Sequence, residues 1–128
     1  MRIEVKRVDV LNFKYDSTHM ENNMSMALNV QIRAPMKENA VSNMTVQYFV
    51  VLRSNNEDES PNEAAFESRI GIALEMEEPE SIKEEKVQQE LLKETYPYFV
   101  KKLRHIAEAV GMSELNLPET EEIISNSV

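Results

Sequence analysis

The chain has 128 residues, a formal net charge of −9, 41% apolar and 29% charged residues, and no cysteine. That length suits one domain with one core, and the composition points to a soluble globular protein, not a disordered or membrane chain. Without cysteine there are no disulfides, thiolate nucleophiles or cysteine-ligated zinc, and the acidic excess opposes binding to phosphate backbones, so nucleic acid is not an expected partner.

The N-terminal "MRIEVKRVDV" alternates charged with β-branched residues. It has no continuous apolar core of the kind a secretory signal needs, so a cytoplasmic protein is expected. The sequons at Asn23 and Asn43 would matter only after secretion. The longest apolar stretches, such as residues 48–52, fall far short of the roughly 20 residues of a membrane span.

In the first strand Ile3, Val5 and Arg7 share one register and Val8, Val10 and Asn12 the other, before Phe13 and Tyr15 resume the first. This slip predicts a β-bulge near Arg7 and Val8. Met24, Met26, Leu28, Val30 and Ile32 then alternate strictly with polar or small residues, which predicts a half-buried strand stopped at Pro35. Met44, Val46, Tyr48, Val50 and Leu52 repeat the pattern, but Phe49 and Val51 add apolar weight to the other face, as a central strand requires. After the polar loop 54–63, Phe66, Ile70, Ile72, Leu74 and Met76 mark a fourth strand. Four strands joined by polar turns predict an antiparallel meander.

Beyond "EMEEPES" the period becomes helical. Ser81 and Glu84 have the spacing of a capping box, and a first helix is predicted over 82–95. Pro97 should kink that helix or start a new one, because it lacks an amide hydrogen and disfavours helical backbone at Tyr96. Phe99, Leu103, Ile106 and Val110 form one face of the second segment, with Lys101, Lys102 and Arg104 in its later half and Gly111 placed as its left-handed cap. A short helix around 119–124 would follow, in a tail expected to fray. Residues 1–118 are thus expected to form a single α+β domain, a four-stranded sheet with a long C-terminal helix broken near Pro97, and 119–128 a short tail.

Enzymatic signatures are weak. His19 and His105 have neither a nucleophile nor a metal-ligand partner at diagnostic spacing, and no glycine-rich phosphate loop occurs. The run from Asn56 through Asp58 and Ser60 to Glu67 imitates a calcium loop, but Pro61 stands where that loop needs glycine. The acidic residues Glu75, Glu77, Glu78 and Glu80 read as a solvated helix entry. No metal, cofactor or catalytic residue is expected. Eight methionines are many for this length, and Met24, Met26, Met44 and Met76 share predicted strand faces. They suit either core packing or an adaptable apolar surface. One kinked helix leaves part of a four-stranded apolar face to cover, which suggests oligomerisation.

The segment "YPYFVKKLRHIAEAVGMSELNLP" resembles, in order and spacing, the aromatic-Pro-Tyr helix, helix break and Leu-Asn-Leu segment of SecB, the bacterial preprotein export chaperone. "IEVKRVDVLNFKYDS" is similar to that family's first strand and "AFESRIGIALEM" to its fourth, so the resemblance covers about residues 3–118. It points to the SecB-like superfamily, in particular its small Gram-positive branch. It implies a non-catalytic, ATP-independent holdase for unfolded or extended polypeptides, built as a dimer of dimers, that hands clients to a SecA-type motor. On that basis Asp16 and Glu67 are carried over as partner contacts, while Asn12 is neutral where the family has an acidic residue. The double glycine of the fourth strand is reduced to Gly71, tryptophan is absent, and the C-terminal helix is much shortened. Met24, Met26 and Tyr96 are the expected apolar groove residues. The alternative is a non-catalytic scaffold module of the same fold that binds one specific folded partner.

Overall fold

The computed structural model describes residues 2–17, 24–34, 41–54, 64–81, 83–112, 117–119 and 122–123. Four strands, β1 (Ile3–Tyr15), β2 (Met24–Arg33), β3 (Val41–Ser54) and β4 (Ala64–Glu80), precede one helix, α1 (Glu85–Ala109). All pairings are antiparallel and the strand order is β1-β4-β3-β2.

That order corrects the simple meander. β2, β3 and β4 do follow one another, but β1 lies outside β4, so β1 and β2, consecutive in sequence, form the opposite edges of the sheet. The result is a Greek-key arrangement. β3 and β4 are central, as the apolar weight on both faces of β3 requires.

Two register shifts punctuate β1, between Val5 and Arg7 and between Val10 and Asn12. The extra residues are Lys6 and Leu11. Each reverses the in-out parity, so Ile3 and Val5, then Val8 and Val10, then Phe13 and Tyr15 all oppose inward-facing residues of β4. The expected bulge near Arg7 is the first of these shifts, and the second explains why Phe13 and Tyr15 return to the original register.

The helix covers the inward face through Val87, Leu91, Thr95, Phe99, Leu103 and Ala107, spaced four apart, with Leu92 and Tyr96 beside them. They pack on Val46, Tyr48 and Val50 of β3 and Phe66, Ile70 and Ile72 of β4, all fully buried. Tyr48 stacks on Phe99 with ring centroids 4.6 Å apart and an interplanar angle of 13°.

The expected break at Pro97 does not occur, because α1 runs through it without interruption. Pro97 and Lys93, whose carbonyl the missing amide would have bonded, are both exposed. Solvent can satisfy that carbonyl, and the ring lies on the side away from the sheet. Nor does the capping box form. The helix begins at Glu85 with Glu84 as an N-cap lacking a side-chain bond, while the Ser81 hydroxyl accepts from the Lys83 amide at 3.4 Å. At the other end Met112 N–H bonds Ala107 O at 2.8 Å and Gly111 N–H bonds Glu108 O at 3.1 Å, with Gly111 at φ +84°. This is the Schellman cap predicted from Gly111, closed by the buried Met112. The last turn of α1 holds no cation. In the tail, Ile123 N–H bonds Glu119 O at 3.1 Å and the Ile123 side chain is buried in the core cluster.

Candidate functional site

The inward stripe of β2 consists of Met24, Met26, Leu28, Val30 and Ile32, each half-buried. Met26 pairs with Leu52, Leu28 with Val50, Val30 with Tyr48 and Ile32 with Val46, and all four β3 partners are buried. The difference has a simple cause. α1 packs chiefly on β4, β1 and β3, so its cover stops one strand short of β2. β2 is also an edge strand, in unbroken register with β3 from Met24 to Arg33, and its only charged side chain is that of Arg33. An apolar shelf therefore borders a strand edge that no other described strand pairs with.

Tyr96 is placed differently from the two methionines. Its ring is 2% exposed and sits among Tyr48 and Phe99, each with centroids 5.7 Å from its own. Its hydroxyl donates to Pro118 O at 2.6 Å and so pins the chain end against the helix. Burial pushes its pKa up to about 12, the carboxylates of Glu119 and Glu122 adding to the effect and Arg104 opposing it. Tyr96 also forms part of the wall of a cleft of about 500 Å³ between the helix and this segment, with Arg104, His105, Leu117 and Pro118. His19 lies outside the described residues, as does the loop 55–63 with its calcium-like pattern.

The outward sheet face has four rungs that cross every strand. Lys14 opposes Glu67, followed by Val51 and Ala27; Asn12, Arg69, Phe49 and Asn29 make the next rung. Asp9, Gly71, Gln47 and Gln31 follow, then Arg7, Ala73, Thr45 and Arg33. Asp16 continues the ladder through its N–H to Ala65 O at 2.8 Å, which brings it to the Glu67 end of this face. The two carried-over acidic residues thus share one corner. Arg7 pairs with Asp9, and Lys6 bridges Glu4 and Glu75 at 3.2 and 3.6 Å. Leu11, 49% exposed, leans over Gly71, where a Cβ would lie 3.0 Å from Leu11 Cδ1.

Leu28, Val30 and Ile32 belong to the same shelf as Met24 and Met26, although their pattern alone reads as core. The sequence places Phe49 on the outward face but does not bring Arg69 and Gln47 to it. The available signal was an aromatic residue at an outward position of a central strand, which needs a neighbour to cover it. Among the described residues, no three His, Cys, Asp or Glu side chains are grouped to hold a metal ion. No described helix is long and apolar enough to cross a membrane.

No family model matches the chain, and no curated protein matches it. Among solved structures the chain is similar to the SecB-like chaperone Rv1957 of Mycobacterium tuberculosis, determined in complex with a ChAD peptide from the HigA1 antitoxin. The TM-score is 0.60 at 14% sequence identity, over 91% of this chain and 86% of that one. The chain has a SecB-like fold.

Proposed function

We propose that this SecB-like fold binds extended segments of other polypeptides along the β2 shelf, as an ATP-independent holdase. The observation that carries the reading is the stripe from Met24 to Ile32, left half-buried on a strand that forms the edge of the described sheet. An extended chain can bond the edge through its backbone and place alternate apolar side chains on the shelf. Methionines at the head of the stripe adapt to different side chains. The peptide bound by the structurally similar chaperone supports a polypeptide ligand, and a charge of −9 favours basic clients.

A labelled, reduced and unfolded basic chain, titrated in fluorescence anisotropy, tests this. Binding in the micromolar range is expected. The double substitution Met26→Asp with Leu28→Asp should weaken it by about tenfold or more, since each apolar side chain buried contributes roughly 1.5 to 3 kcal/mol. Lys93→Gln, on the exposed helix face, should leave it unchanged. Absence of binding, or equal binding by the shelf variant, refutes the reading.

A dedicated partner is the second reading, favoured by the fact that the similar chaperone was captured with one antitoxin's peptide. Comparable affinity for several unrelated unfolded chains would decide against it. For self-association, the β1 edge is the better surface: Val10, Leu11 and Phe13 are 41%, 49% and 42% exposed there, on both faces of the strand. Phe13→Asp should shift a tetramer or dimer towards smaller species in native mass spectrometry.

A further inference from the structure

The outward face carries a second surface, independent of the β2 shelf. The Arg69 guanidinium lies over the Phe49 ring, 5.0 Å from its centroid, and its Nη1 donates to Gln47 Oε1 at 3.2 Å. On the next strand Gln31, the register partner of Gln47, accepts at Oε1 from Arg33 Nη2 at 3.2 Å. Each of these carboxamide oxygens already accepts one bond and each NH2 is a donor, while a guanidinium has donors and no acceptor. Both glutamine oxygens thus accept from arginines. The depression of about 220 Å³ lined by Asn29, Val30, Gln31, Gln47, Phe49 and Arg69 is thus supplied with guanidinium and carboxamide donors.

Charge reinforces the geometry. The four rungs that cross the whole sheet hold four cations, Arg7, Lys14, Arg33 and Arg69, against the two carboxylates Asp9 and Glu67. The chain as a whole stands at −9, so these rungs are locally cationic around Arg69 and Arg33, with Arg7 paired to Asp9 and Asp16 at the Glu67 end of the face. Arg69 is also held in place by its stacking and its bond to Gln47, so it loses little freedom on engaging a planar anion.

We propose that this depression receives a carboxylate side chain, presented by an acidic segment of a partner protein that docks on the outward face. A guanidinium and two carboxamides converging on one carboxylate would give charge-assisted bonds to both its oxygens. The partner is thus of opposite charge to the basic chains favoured by the β2 shelf, and it engages the opposite side of the sheet.

The test is a titration of a fluorescently labelled glutamate-rich peptide against the full chain at low salt, beside glutamine-rich and lysine-rich peptides of equal length. The glutamate peptide should bind at least about tenfold tighter than the glutamine peptide, as a charge-assisted contact requires. Arg69→Gln should remove that preference. Gln47→Glu should remove it too, by placing a carboxylate of the chain's own in the depression. Lys93→Gln, which removes a cation from the helix on the other side of the sheet, should preserve it. Equal binding of glutamate and glutamine peptides overturns the proposal. So does a preference that survives both face variants, one lost equally in Lys93→Gln, or tighter binding of the lysine peptide.

Discussion

The buried hydroxyl pair between sheet and helix gives a quantitative prediction. Tyr48 and Thr95 are both fully buried, and their hydroxyl oxygens lie 2.7 Å apart. Thr95 donates its one hydroxyl hydrogen to Leu91 O at 2.7 Å. Tyr48 must then be the donor to Thr95. The two substitutions are consequently unequal. Tyr48→Phe deletes one hydrogen bond and leaves Thr95 satisfied as a donor, so it should cost about 1 kcal/mol. Thr95→Val keeps the shape but strands the Tyr48 hydroxyl in the core, and should cost about 2 to 3 kcal/mol. In the double variant no stranded group remains. Its total should lie about 1 kcal/mol or more below the sum of the singles, a coupling measurable as shifts of the urea midpoint at constant slope. If Thr95→Val costs no more than Tyr48→Phe, or if the two effects simply add, the assigned direction of donation is wrong.

Tyr96 predicts a pH dependence. Its folded pKa of about 12 exceeds the ordinary value of 10 because burial and nearby carboxylates disfavour the phenolate. A raised folded pKa means that its contribution is complete below pH 10 and lost as pH rises towards 12. Urea midpoints should fall across that window, and less steeply in Tyr96→Phe; an unchanged slope would contradict the assignment. Ser68 Oγ is buried without a hydrogen-bond partner among the described residues, so Ser68→Ala should stabilise the fold by roughly 1 kcal/mol in urea unfolding. Gly111→Ala should cost about 1 kcal/mol, since φ +84° opposes a Cβ. Gly71→Ala should cost less, by thermal melting of both variants, because the neighbour it meets, Leu11, is half-exposed and free to move.

The strands and the face each one buries were legible because period-two alternation follows from the pleat itself. Even the first bulge could be read, since an inserted residue reverses the parity of every apolar position after it. Strand order could not be read in the same way. The inward residues of β1 would pair as well with one neighbour as with another, and local connections favour the meander. Pro97 misled for a related reason. Its cost depends on which side of the helix it occupies, and that is fixed only when Thr95, Tyr96 and Phe99 choose the sheet. Met24 and Met26 were correctly placed on a strand face, but whether the face is covered depends on where α1 ends its cover. The Arg69 cluster depends on register across three strands, which residue types alone do not supply.

The most direct measurement of the central claim is amide hydrogen exchange of the full chain with and without a bound unfolded basic client. The account predicts slowed exchange at the edge-facing amides of β2, between Met24 and Arg33, because a client strand would engage them. Protection confined to β1 or the outward face, with β2 exchanging as before, would contradict it.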